Sequence, residues 1–163
     1  GLVLQEPYMF YGTIKSNIRM FNDEITDDQI KQAAKFVNAD QFIEQLPGKY
    51  DAKVIERGAS YSTGQKQLIA FARTVATDPK ILILDEATSN IDTETEKMIQ
   101  EGLDKIQQGR TTIAIAHRLS TIQNADQILV LSQGQIVERG TNNELLKNHG
   151  MYYDMIRKQN AAH

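Results

Sequence analysis

Ile81-Leu82-Ile83-Leu84-Asp85-Glu86-Ala87-Thr88 is the stretch on which the reading of this 163-residue chain turns. Four apolar residues run without a break and end in two adjacent carboxylates. Such a run suits a strand covered on both faces, as in a parallel sheet between helices. In open α/β sheets the ligand site lies just beyond the carboxyl ends of the strands, which is where Asp85 and Glu86 stand. Neighbouring residues on a strand point in different directions, so the two carboxylates can do different work. One can hold Mg²⁺, a hard cation that takes oxygen ligands. The other can face a water molecule and orient or deprotonate it. The same residues also read as a strand followed by an acidic helix start, with Asp85 or Thr88 as a cap.

The composition is that of a soluble globular domain with a sizeable core, 40% hydrophobic and 24% charged. A net charge of −3 argues against a nucleic-acid-binding surface. Without cysteine there is neither a disulfide framework nor a thiolate metal site. The apolar runs are too short to span a bilayer, and no signal peptide is visible. The chain opens on Gly1-Leu2-Val3-Leu4, as though inside a strand, and the expectation is a fragment of a longer protein.

Working outward from the central run, Gln5 ends the first strand remnant and Pro7 breaks it, because proline cannot donate to a ladder. Residues 7–12 hold three aromatics, Tyr8, Phe10 and Tyr11. They read either as loop packing or as a docking surface for a partner helix. A helical start follows Thr13. Thr26 or Asp27 can cap a helix to about Asn38, with Ile30, Ala33, Ala34 and Val37 on one stripe. Asp40 is expected to cap a short helix, residues 49–54 to be extended, and residues 56–59 to form a polar loop.

Ser60-Tyr61-Ser62-Thr63-Gly64-Gln65 then leads into a strong helix that stops at Asp78-Pro79, with Ser62 or Ser60 as its N-cap. A helix start attracts anions, and Gly64 would let a phosphate come close to the backbone, although an ordinary capped helix reads the same way. After the central run come a polar helix over residues 93–107, a second buried strand over residues 111–116, and His117 at its carboxyl end. A hairpin around Gln133-Gly134-Gln135, a helix capped by Thr141 and a last amphipathic helix complete the chain.

The order of these motifs resembles the nucleotide-binding domain of ATP-binding cassette (ABC) transporters over essentially the whole chain. Gln5 matches the Q-loop glutamine, and Tyr61-Ser62-Thr63-Gly64-Gln65 the signature motif, usually Leu-Ser-Gly-Gly-Gln. Residues 81–86 match Walker B with its following glutamate, residues 89–92 the D-loop, and His117 the switch histidine. Glu56-Arg57-Gly58 is similar to the exporter subgroup. Two departures stand out. No Gly-x-x-x-x-Gly-Lys-Ser/Thr occurs, so the phosphate-cradling loop is missing from these residues. Tyr61 and Thr63 replace the usual Leu and first Gly.

The resemblance implies an α/β fold of the P-loop NTPase (RecA-like) kind. Its parallel sheet core would lack the phosphate-loop strand, with an α-helical subdomain over residues 13–77 inserted between residues 1–12 and 78–163. It implies ATP and Mg²⁺ as ligands: Asp85 and Gln5 toward the metal, Glu86 as general base, and His117 and Gln5 toward the γ-phosphate and water. Ser62, Thr63, Gly64 and Gln65 would meet the nucleotide of a second domain, and Asp92 would link the two sites. The implied partners are a transmembrane domain, of the same or a partner chain, and a second nucleotide-binding domain, like or unlike. The implied place is the cytoplasmic face of the cell membrane. A soluble ATPase of the same superfamily and a non-catalytic fragment are the alternatives.

Overall fold

A computed structural model gives the fold and describes residues 1–85, 93–117 and 119–161. The chain forms two compact units, Gly1–Ile115 and Ala116–His163.

In the first unit, β1 (Leu2–Val3) and β2 (Gly12–Thr13) flank the aromatic loop, and α1 (Ile14–Arg19), α2 (Asp27–Phe36) and α3 (Asp40–Ile43) follow. Thr13 and Thr26 each close a capping box, with Ser16 and Gln29, so α1 and α2 start where local chemistry dictates. Asp40 does not act as the expected cap. It lies inside α3, after Ala39, which has no side-chain acceptor to offer. Residues 49–54 are also not wholly extended: Lys49–Asp51 is a 3₁₀ turn leading into β3 (Lys53–Val54), which pairs antiparallel with β2. Gly48 enters that turn at φ 85°, and Asp51 N–H and Ala52 N–H donate to Gly48 O and Lys49 O at 2.8 and 3.0 Å. Tyr50 is thereby turned into the core, where burial and the nearby Glu44 and Asp40 carboxylates push its hydroxyl up to about 12.

The centre of the unit is α4 (Thr63–Thr77), followed by β4 (Ile81–Asp85), α5 (Thr93–Gln107) and β5 (Thr111–Ile115). β1 and β5 lie on either side of β4, all parallel, with Val3 opposite Leu84 and Ile115 opposite Asp85. One apolar cluster joins the sheet to the helices, with Val3, Phe71, Leu82, Leu84, Ile99 and Ile106 among its buried members.

Among the described residues of this unit, one face of the central run is covered, against the expectation of two. Leu82 and Leu84 are buried, whereas Ile81 and Ile83 are 55% and 41% exposed. β5 is likewise open, with Ile113 and Ile115 exposed. Strand geometry sends alternate side chains to opposite faces, and no described residue of this unit covers the outer one. Burying Leu82 and Leu84 contributes about 1.5–3 kcal/mol each.

In the second unit, α6 (Leu119–Gln123) precedes an antiparallel hairpin of β6 (Ile128–Ser132) and β7 (Gln135–Gly140). Gln133 and Gly134 turn it at φ 50° and 76°, the handedness that suits a two-residue hairpin loop. α7 (Asn142–Lys147), capped by Thr141, and α8 (Met151–Ala161) pack a small core of Ile128, Val130, Leu145, Tyr152 and Ile156.

Candidate functional site

Parallel pairing of β1 and β4 sets the first group of candidate residues. Because Val3 stands opposite Leu84, β1 stops one residue short of the level of Asp85, the last residue of β4, and Gln5 follows two residues after β1. Gln5 is exposed and Asp85 half-buried, so both side chains reach solvent. β5 ends at the same level, opposite Asp85, and His117 follows two residues later in the chain. His117 belongs to the second unit, where its side chain is exposed and its C=O accepts from Gln159 Nε2–H at 3.2 Å. Glu86 and Asp92 lie outside the described residues.

The second group is the start of α4. Ser62 is the N-cap: its Oγ accepts from Gln65 N–H at 3.1 Å, while Gln65 Oε1 accepts from Ser62 N–H at 3.0 Å. This capping box is the bland reading of Ser62 and Gln65 realised. It coexists with anion binding, since the first turn of a helix keeps unbonded N–H groups and partial positive charge. No acidic residue in that turn opposes an anion. Thr63 is exposed.

Gly64 is buried against α5. A Cβ there would collide with the Thr95 methyl, and it would also reach Ile99 Cδ1 at 3.6 Å. The close approach of the two helices at this point therefore needs position 64 to lack a side chain, a cause separate from any approach to phosphate. Tyr61, one of the two departures from the resembling motif, also has a local cause. Its ring is in the core, and its hydroxyl donates to Lys53 O at 3.0 Å. Burial raises its pKa.

Sequence reasoning missed how the aromatic loop is held. Asn17, buried on α1, accepts from Phe10 N–H at 2.8 Å and donates to Phe10 O and Thr13 O, each at 2.9 Å. Arg73, on α4, donates Nε–H to Asn17 O at 2.8 Å and Nη2–H to Tyr8 O at 3.2 Å. Its guanidinium also lies over the Phe10 ring, 5.9 Å from the centroid. Burial lowers the Arg73 pKa, so the two carbonyls compensate a partly desolvated cation. An asparagine and an arginine inside amphipathic helices carry no sequence signal of such a role. Tyr8, Phe10 and Phe21 form an edge-to-face row with centroids 4.7 and 5.4 Å apart, and Tyr11 is 86% exposed.

Comparisons with known proteins agree, those with whole sequences and structures over nearly the whole chain. A family model described as ABC transporter matches residues 1–89. The chain is 62% identical over 162 residues to the putative ABC transporter ATP-binding protein exp8 of Streptococcus pneumoniae serotype 4, covering 99% of this chain and 28% of that protein. It is 55% identical to the probable multidrug resistance ABC transporter ATP-binding/permease protein YheH of Bacillus subtilis, covering 98% of this chain and 24% of that protein. Among solved structures, that of a bacterial Atm1-family ABC exporter with ATP bound superimposes with a TM-score of 0.86 at 43% identity, over 98% of this chain and 28% of that one. The chain thus spans about a quarter of the length of these two curated relatives.

Proposed function

The chain belongs to the ABC transporter family, and from that premise we propose that it is part of an ATP-binding and hydrolysing domain that powers an exporter. In this reading, residues 13–77 serve as the helical subdomain, and residues 1–12 with 78–163 as the catalytic core. Residues 62–65 meet the γ-phosphate of an ATP held by a second nucleotide-binding domain, like or unlike. Exposed Tyr8, Tyr11 and Phe21 face a transmembrane domain, of the same or a partner chain. The domain works at the cytoplasmic face of the membrane; among the described residues no helix is long and apolar enough to cross one.

The observation that supports this reading is the parallel register that ends β1, β4 and β5 near one level, with Asp85 closing β4 and Gln5 two residues beyond β1. Their oxygens suit Mg²⁺, which takes few protein ligands and keeps several waters. When bound, Mg²⁺ neutralises charge on the phosphate oxygens. Asp85 would hold the ion, and Gln5 would offer its amide oxygen to the metal and the attacking water. Glu86 accepts the proton of that water on its carboxylate. His117 orients the γ-phosphate and the base, and Asp92 links the two sites across the dimer.

Glu86→Gln in the full-length protein tests the assignment. Glutamine keeps the size but cannot take a proton, so ATP binding should persist while turnover falls by about 10²–10⁴. Near-normal turnover would move the base elsewhere.

A further inference from the structure

The contacts of Arg73 and Asn17 join two places that the function treats separately. Arg73 projects from the same continuous helix that begins at the signature residues, Thr63–Thr77. Its planar guanidinium holds two carbonyls in two different segments, Asn17 O on α1 and Tyr8 O in the aromatic loop. Asn17 in turn grips the main chain of Phe10 at both its N–H and its C=O. Two-point grips by planar groups fix direction as well as distance, which a single rotatable donor does not. The loop is therefore tied to α4 directly through Tyr8 and indirectly through Asn17 and Phe10. Its exposed members, Tyr8 and Tyr11, ride on this support.

We propose that Arg73 and Asn17 form a strut that binds the aromatic loop, residues 8–11, to α4 as one body, so that any displacement of the signature helix is delivered to the loop. Both are positioning residues. The inference rests on the reading of α4 as the helix that meets nucleotide.

The test is made in the full-length protein, with spin labels at Tyr11→Cys and Thr77→Cys and any other cysteine replaced by serine. Pulsed dipolar spectroscopy reads the distance between the exposed loop position and the exposed end of α4. In the parent, the distribution should be narrow and the same with and without ATP and Mg²⁺. Arg73→Lys should broaden it roughly twofold, because an ammonium on a flexible stem replaces a two-point fork. Asn17→Asp should broaden it too, since the carboxylate cannot donate to Phe10 O. ATP affinity should stay at the parental value in both. A control pair across α4 and α5, Thr77→Cys with Lys97→Cys, should stay narrow throughout. A parental distance that shifts with ATP overturns the strut. So do narrow distributions in both variants, or a control pair that broadens with them. A parent that binds no ATP sinks the functional reading instead, while the variant widths still decide the strut.

Discussion

Gly64 shows how one residue can carry two explanations that an experiment can separate. Its neighbours on α5, Thr95 and Ile99, leave no room for a Cβ. Gly64→Ala should therefore destabilise by about 1–3 kcal/mol, the usual cost of overpacking, and lower the thermal midpoint of the full-length protein. Thr95→Ser removes the colliding methyl and keeps the hydroxyl, so adding it should restore most of the midpoint. Failure of the double variant to recover would show that packing is not the constraint. Tyr50 gives a pH-dependent counterpart. Its folded-state pKa, about 12, lies above the unfolded value near 10. Its neutral form is thus favoured in the fold; this stability is fully present below pH 10 and is lost as pH rises from about 10 to 12. Tyr50→Phe should flatten the alkaline limb of a thermal-midpoint against pH curve over that window. An unchanged limb would assign it to other groups.

At the scale of the element, β4 is a strand with two unequal faces. Leu84 is buried against the helices, and Ile83 is 41% exposed. In the isolated 163-residue chain, Leu84→Ala should cost about 2–5 kcal/mol, as core truncations do. Ile83→Ala should cost well under half as much. Urea unfolding of the two variants measures the contrast, and equal losses would mean that the outer face is covered. Helix α4 is the opposite case, an element whose limits follow from its own residues. The Ser62 capping box starts it, and Asp78 at φ 43° before Pro79 ends it.

For the whole molecule, the proposed dimer makes a prediction about mixtures. Ser62→Arg fills the space meant for a phosphate, so in full-length protein it should block ATP-driven association yet leave monomer binding nearly intact. If the signature helix acts in trans, a mixed dimer of Ser62→Arg and Glu86→Gln subunits puts both lesions on one composite site and leaves the other native. ATPase activity should then return on mixing the two inactive variants. If each subunit used its own helix, every site in the mixed dimer would carry one lesion. Activity that stays at the background of the separate variants, in mixtures where a mixed dimer has been isolated, counts against two independent sites acting in trans.

What the sequence determined by itself is what short-range chemistry decides. Caps at Thr26, Ser62 and Thr141, the Asp78-Pro79 stop and the apolar run ending in Asp85 place three helices and the central strand within about two residues. The ordered motifs carried the family with them. The tertiary structure alone decided that, among the described residues, β4 is covered on one face, because a run of isoleucine and leucine reads the same whether one layer or two lies against it. It alone put Thr95 beneath Gly64 and gave Tyr61 the Lys53 carbonyl as its partner. It alone joined Arg73 to Tyr8 and Asn17, which stand 65 and 56 residues away along the chain. Local propensity cannot register contacts at such separations, since they exist only once the helices and sheet have packed on a common core.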